Sequence, residues 1–482
     1  MNKSKTVTLK QPKVFYLAIL TAMCERFGFY VLTFLLVLYI KDVYGLSDSQ
    51  AFILFGVFNG LAFLTPALGG YLADNIFGIR RCTILGLLSE GLGLMLLAIP
   101  KQLFFWIGLS LIVIGVGFFK TAPTNLLARG YTKDDLRIDS GFTLFYMAMN
   151  VGALFSPIVA GFAQRYFGWN AAFLIGGLAL YLGLLCYFVL RRSAESSDSA
   201  IGRKTLSPKI WSAVIFGIII SLICFIFLLI HPITADVFFA IAAFILVFYF
   251  IYEIIKSSKD DKSKIIACLI LIFVGMIFFS LYFQAFTSIT LFIQRVVRHA
   301  VFGFDIPTVA FLSLNPIWII VLSPILAGLY NYLKKRNKDL PITSKFALGI
   351  LIISLCFFVL KISTLFVGVE EKISPLWIVL AFFLFSLGEL LVSALGVAMI
   401  AQIAPKRMYG VMMGTWFLIA ATLGASVSGL LAGLANVPKA LHESHAILTI
   451  YGKAFFHIGL IGLGLTIVIF LVSPHIKRMA KL

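Results

Sequence analysis

The sequence predicts an all-α membrane protein: two six-helix bundles with two extra helices between them. Three observations predict it. The chain has 482 residues, of which 61% are hydrophobic and 12% charged, whereas a soluble protein carries about 25% charged residues. Fourteen apolar runs are long enough to cross a bilayer, which takes about 20 residues of helix. With the N-terminus taken as inside, the inner segments hold 28 Lys and Arg and the outer ones nine, while Arg26 and Lys120 lie within runs. That bias places both termini on the cytoplasmic side. It also accounts for the net charge of +19 without nucleic acid, because basic inner loops face anionic lipid and each cation there gains about 1 kcal/mol.

The runs lie near 14–40, 50–72, 82–99, 103–128, 141–163, 170–190, 212–231, 236–256, 265–294, 309–332, 346–366, 376–402, 409–434 and 450–473. A basic start, Lys3, Lys5, Lys10 and Lys13, precedes the first run. That run is too long for a signal-peptide core, so it reads as a retained helix. Three parts follow: an N-terminal bundle over 1–192, a linker and two-helix insertion over 193–263, and a C-terminal bundle over 264–482. Paired six-helix halves are the layout of the major facilitator fold, with substrate at their interface near the midplane. Six cysteines at 24, 82, 186, 224, 268 and 356 sit in or beside apolar runs without metal spacing, and read as buried thiols.

The first run contains Ala22-Met-Cys-Glu25-Arg26-Phe27-Gly-Phe29-Tyr30. An acid or arginine at the centre of a spanning helix costs about 2.5–3.5 kcal/mol on insertion scales. Glu25 and Arg26 therefore need a wet cavity or partners. Adjacent positions diverge by about 100° around a helix, so the two are not expected to satisfy each other. Residues 22, 25, 26, 29 and 30 share one stripe, a charged and aromatic face that lines something. Lys120, Glu90 and Glu389 are the other charged residues placed well inside runs.

Gly70-Tyr-Leu-Ala-Asp74-Asn-Ile-Phe-Gly78-Ile-Arg80-Arg81 lies between the second and third runs. It resembles the signature loop of the facilitator superfamily, in which the acid and the arginines cross-link helix ends. Asp74 is expected to pair with the following cations and with exposed helix-end N–H groups. The stretch from Glu25 to Tyr30 resembles the first-helix motif of the proton-coupled oligopeptide transporters, ExxERFxYY. Phe145-Tyr146-Met-Ala-Met-Asn150-Val-Gly152-Ala-Leu154 is similar to their fifth-helix motif. Gln284 to Leu291 with Ser313-Leu-Asn315-Pro316 is similar to their seventh and eighth helices. Gly388-Glu389-Leu390, Ala404-Pro405-Lys406 and Gly414-Thr-Trp416-Phe417 are similar to the tenth and eleventh. The resemblance covers nearly the whole chain, including the two extra helices typical of bacterial members.

The resemblance implies roles. Arg26 and Lys120 form the positive end of a site for the substrate carboxylate, Arg as a planar fork and Lys as a point charge. Glu389 forms the negative end, with Asn315 offering an amide beside it. Tyr30, Tyr146, Asn150 and Trp416 are walls. Arg26, Lys120, Glu389 and Asn315 are expected to share one water-filled cavity at the midplane. Two departures matter: the motif's first acid falls at Ala22, and an acid usual before the seventh-helix glutamine falls at Phe283. Phe29 also replaces a usual tyrosine. Proton coupling then rests on Glu25 first, with Glu90 second.

The implied function is a secondary transporter that imports di- and tripeptides with protons, by alternating access, as a monomer in a bacterial inner membrane. It needs no cofactor or metal, the proton gradient being its energy source, and its partners are peptides, protons and membrane lipids. The alternative in the same fold is an uncoupled or differently coupled carrier of another small zwitterionic or anionic solute. An enzyme is not expected. Gly424-Ala-Ser426 and His457 lack the rest of a membrane-protease motif, and HExxH is absent.

Overall fold

The computed structural model describes residues 10–480 apart from 133, 134, 136, 196, 199, 200, 204, 302, 337, 339 and 368–371. The basic start at Lys3 and Lys5 lies outside them. The helices, in order, are α1 Lys13–Tyr44, α2 Asp48–Leu72, α3 Ile79–Leu97, α4 Gln102–Phe119, α5 Ala122–Arg129, α6 Ile138–Leu190, α7 Pro208–Ile230 and α8 Pro232–Lys256. They continue as α9 Lys259–Tyr282, α10 Ser288–Val296, α11 Leu314–Lys335, α12 Ile342–Ser363, α13 Pro375–Ile403, α14 Tyr409–Thr415, α15 Gly424–Ala432 and α16 Ser444–Ala480. One two-stranded antiparallel ribbon, Ala300–Val301 with Phe304–Asp305, sits in the turn after α10.

Twelve helical stretches among the described residues are long and apolar enough to span a membrane. The longest, Ile138–Ser193, holds two of the predicted runs. They meet at Gly168, whose backbone is left-handed at φ 83 and ψ 177, a conformation that favours glycine. The predicted third run is α3, 19 residues long and diluted by Arg80, Arg81 and Glu90. The spanning windows of α7 and α8 are each 11% buried, against 78% for α1. A helix apolar all round with so little protein around it is one that faces lipid.

Three predicted runs are broken rather than continuous. The run at 103–128 divides between α4 and α5, because Pro123 stands at the start of α5 and has no N–H to give the carbonyl four residues back. The run at 265–294 passes through a 3-10 turn at Phe283–Phe286. Its freed carbonyls find side chains: Thr287 donates to the Phe283 carbonyl and Thr290 to that of Ala285. The run at 409–434 contains a π-helical stretch, Trp416–Leu423. Breaks of this kind survive in membranes only where neighbouring groups satisfy the backbone.

The chain forms two compact units. One comprises Met1–Leu32, Thr65–Ser156 and Asn170–Cys224, the other Thr33–Leu64, Pro157–Trp169 and Phe225–Leu482. The boundaries differ from the 1–192 and 264–482 halves because later parts of α1, α2 and the first limb of α6 pack with the C-terminal helices. Gly56 of α2 lies against the Ala425 carbonyl, where an added Cβ would sit at 2.8 Å. Phe55 stacks on Phe286 at 5.9 Å, and Phe239 of α8 covers Gly60.

Inside the first unit, helices approach through small residues, as expected where association rests on close packing. Gly69 of α2 faces the Gly117 carbonyl of α4, and a Cβ there would stand 1.7 Å from that oxygen. Gly69→Ala should therefore lower the thermal stability of the purified protein by about 1–3 kcal/mol, the usual range for overpacking. An unchanged melting temperature would show that α2 and α4 do not meet at this point.

Candidate functional site

In the first unit, α1 carries Glu25 and Arg26. Their side chains do pair, Arg26 Nε lying 3.4 Å from Glu25 Oε2. Both side chains are long enough to swing around the cylinder and meet as an ion pair, yet neither Glu25 oxygen has a hydrogen-bond partner among the described residues, so the two do not satisfy each other, as the angular argument expects. The expected stripe also divides. Ala22, Glu25 and Phe29 are buried, while Arg26 and Tyr30 remain half-buried. Gly152 of α6 packs beside Arg26, where an added Cβ would be 2.5 Å from the Met23 carbonyl. Lys120 ends α4 at the Pro123 break, and Glu25, Arg26, Glu90 and Lys120 all lie within one another's electrostatic reach.

Glu90 on α3 is fully buried. Its stem lies on α4, 2.4 Å from where a Cβ on Gly115 would stand. Neither of its carboxylate oxygens has a hydrogen-bond partner among the described residues. Tyr146 and Asn150 sit one turn apart on α6, with Tyr146 half exposed and the Asn150 amide donating to the Tyr146 carbonyl at 2.9 Å.

In the second unit, Asn315 opens α11 and its amide donates to Glu389 Oε2 of α13 at 2.8 Å and to Ser386 Oγ at 3.0 Å. Ser386 Oγ donates back to the Asn315 carbonyl at 3.2 Å. The Tyr282 hydroxyl also bonds Glu389, and its ring stacks on Phe385 at 5.3 Å. Tyr282 and Ser386 carry no signal in the sequence, because neither type is unusual in an apolar run. Trp416, the fourth expected wall, is packed within the second unit. It is 2% exposed, its ring lies on Gly275 and Gly396, and it meets Phe279 edge-on at 6.1 Å. Its bulk fills a gap left by two glycines.

The two departures from the transporter motif sit in apolar surroundings. Ala22 belongs to a buried cluster with Phe15, Ala18, Leu127 and Phe145. Phe283 is ringed by Phe63, Phe279 and Phe286 at 5.8–6.3 Å. Gln284 beside it donates to the Ser428 carbonyl at 2.9 Å and accepts from Ser288 Oγ at 2.6 Å.

The loop after α2 is held differently from expectation. Asp74 approaches Arg129 of α5 at 3.6 Å, not the arginines that follow it. Arg80 Nε donates to the Tyr187 hydroxyl at 3.2 Å, and Arg81 donates to the Phe77 carbonyl at 2.8 Å. The N–H of Ile79 at the start of α3 is capped by Asp198 at 3.1 Å, a linker residue that no motif marks.

The most connected acid is likewise unmarked by any motif. Asp48, at the start of α2, has a fully buried side chain. It accepts both Arg295 Nη atoms, at 2.6 and 2.8 Å, and the Val437 N–H at 3.2 Å. Lys41 donates to it as well, and Arg295 Nη1 reaches the Tyr451 hydroxyl at 2.9 Å. Parts of α1, α2, α10 and α16 are thus tied at one point. Nearby, burial pushes the His299 imidazole below its usual range.

Charges carried within helices apolar enough to span a membrane point to a transport protein. The chain belongs to the POT family, whose model matches residues 83–448. It is 34% identical to dipeptide and tripeptide permease A of Yersinia pestis, over 99% of this chain and 96% of that one. It is 33% identical to dipeptide and tripeptide permease B of Edwardsiella piscicida, over 99% and 98%. Among solved structures it resembles tetrameric PepTSo2, with a TM-score of 0.86, 31% identity, and 97% and 99% of the two chains covered.

Removing one partner of a buried ion pair strands the other charge. Asp48→Asn and Arg295→Gln should each lower stability by about 3 kcal/mol, and the double variant should lose less than their sum. Additive losses in thermal unfolding would mean that the pair does not act as a unit.

Proposed function

We propose that the protein imports di- and tripeptides across a bacterial inner membrane by alternating access, driven by protons, with both termini cytoplasmic. The observation that carries this reading is the survival of both poles. The cations Arg26 and Lys120, and the Asn315–Glu389 pair at 2.8 Å, stand in a chain similar to peptide permeases along almost its full length. Arg26 and Lys120 take the peptide carboxylate. Glu389, oriented by Asn315 and Tyr282, takes the terminal ammonium. Tyr30, Tyr146 and Asn150 contact the peptide between its ends. On this reading the working unit is a monomer.

Counting the two limbs of α6 separately and adding α3 gives fourteen spans, an even number, as both termini on one side require. On that topology Lys41, Asp48, Arg295 and Val437 lie at the outer face. The Asp48 ties and the ring cluster around Phe283 then close the path from outside, and both part when the carrier opens outward. The loop holding Asp74, Arg80 and Arg81 stiffens the inner ends. Glu25 and Glu90 are the acids available for proton coupling.

One observation favours a second reading. Ala22 and Phe283 lie in apolar clusters where no proton can be held, which fits a carrier without proton coupling or one for another small zwitterion or anion. Uptake of labelled Ala-Ala into proteoliposomes, with and without an inward proton gradient, separates the two. Accumulation only with the gradient supports symport. Uptake to equilibrium at the same rate with and without the gradient supports a facilitator.

Lys120→Gln and Glu389→Gln should each weaken Ala-Ala binding by about ten- to a hundredfold, the worth of one charge-assisted hydrogen bond. Binding unchanged in both variants would remove the two-pole site.

A further inference from the structure

We propose that a groove on the side of the first unit holds one anionic phospholipid, with an acyl chain along α7 and the phosphate at Lys209. The site is separate from the two poles, and the proposal stands independently of the peptide reading.

The groove has a volume of about 700 Å³, within the range of about 300–1,000 Å³ usual for ligand sites. One wall is α7, where Ala213, Gly217 and Ser221 recur every fourth residue and so share a face. The other wall includes Phe77, just past α2, and Phe118 of α4. All of these residues belong to the first unit. At Gly217 the space is open, because an added Cβ would meet no atom within 4 Å. Ala213 and Gly217 are exposed although they line the groove, so it opens sideways. The spanning window of α7 is only 11% buried, and the opening therefore faces lipid.

Polar groups gather at one end of the groove. Asn75 stands just past α2, Thr205 just before α7, and Lys209 in the first turn of α7. Among the described residues that line the groove Lys209 is the charged one, and none is acidic. The N-terminal end of α7 adds the positive end of its dipole. From Lys209 to Ser221 the groove follows the helix for about 18 Å, at about 1.5 Å per residue. That is close to the depth of one leaflet in a hydrocarbon core about 30 Å thick. Spread over this length, the volume gives a cross-section of about 40 Å², about half that of a helix about 10 Å wide. A helix of a second copy or of another protein is too wide for it, and an acyl chain is not. Basic pockets between spanning helices suit anionic headgroups. A free phosphate would leave the apolar length unfilled.

The polar end has a fixed base. The linker that brings Ile201 and Thr205 to the groove is anchored on the start of α3. There Asp198 accepts from the Ile79 N–H at 3.1 Å. Gly202 lies against Gly78, where a Cβ on Gly78 would stand 2.1 Å from the Gly202 Cα.

The test uses the purified full-length protein with palmitoyl-oleoyl phosphatidylglycerol, the matching phosphatidylcholine, and inorganic phosphate. Native mass spectrometry should show one phosphatidylglycerol retained per chain. It should be preferred over phosphatidylcholine by about fivefold, the worth of one basic residue near an anionic headgroup. Lys209→Gln should abolish the preference, and Lys209→Arg should keep it. Gly217→Phe fills the groove and should lose the retained lipid. Inorganic phosphate should not displace it. Phosphatidylglycerol carrying a photoreactive acyl chain should label the wild type along α7 between Lys209 and Ser221. Equal retention of the two lipids, a preference that survives Lys209→Gln, or lipid retained by Gly217→Phe overturns the proposal. Displacement by phosphate alone would show a simple anion site and overturns it as well. Should Gly217→Phe fail to fold, photolabelling of the wild type decides, and labels confined to other helices sink the assignment. None of these measurements involves a peptide, so failure of the transport reading would leave them unchanged.

Discussion

An ionised side chain in hydrocarbon is tolerated only beside a counter-charge or a donor, and this constraint arranges the first unit. Glu25, Arg26, Glu90 and Lys120 come from three helices, and each helix is shaped to bring them together. Pro123 ends α4 so that Lys120 stands at a break. Gly115 gives α3 and its Glu90 a bare surface to lie on, and Gly152 lets α6 press against α1 at Arg26. The glycines and the proline are usually read as defects in helices. Here they permit four charges to share one neighbourhood.

The second unit meets the same constraint with hydrogen bonds. Glu389 is held by Asn315 and Tyr282, and Asn315 by Ser386 in turn. Asp48 is surrounded by Arg295, Lys41 and a backbone N–H. Gln284 spans from Ser288 to Ser428. An acid so committed changes protonation only by surrendering its partners. Glu25 and Glu90 contrast with Asp48 and Glu389: among the described residues no hydrogen bond reaches either carboxylate.

How much of this the sequence revealed follows from the range of each interaction. Hydropathy is local, so the spanning runs were legible, as were intramembrane charges such as Glu25, Arg26, Lys120 and Glu389. The helix breaks were not, because an apolar window averages over them, although Pro123 was visible as a reason for one. Partners distant in sequence were also hidden. Asp48 and Arg295 are 247 residues apart, and Asp48 alone looks like a loop residue. Trp416 stands in a family motif, and no motif states whether a ring lies on a cavity or fills the space over Gly275 and Gly396.

The two motif positions without an acid differ in their surroundings. A carboxylate at 283 would enter a cage of aromatic rings, where an isolated buried carboxylate is strongly disfavoured. One at 22 would enter the cluster of Phe15, Leu127 and Phe145, but one turn from Arg26 on the same stripe. The apolar packing at 283 therefore excludes an acid by itself, whereas at 22 the cation that would receive one is still in place. The acid that lies within reach of Arg26 and Lys120 from another helix is Glu90, on α3 against Gly115.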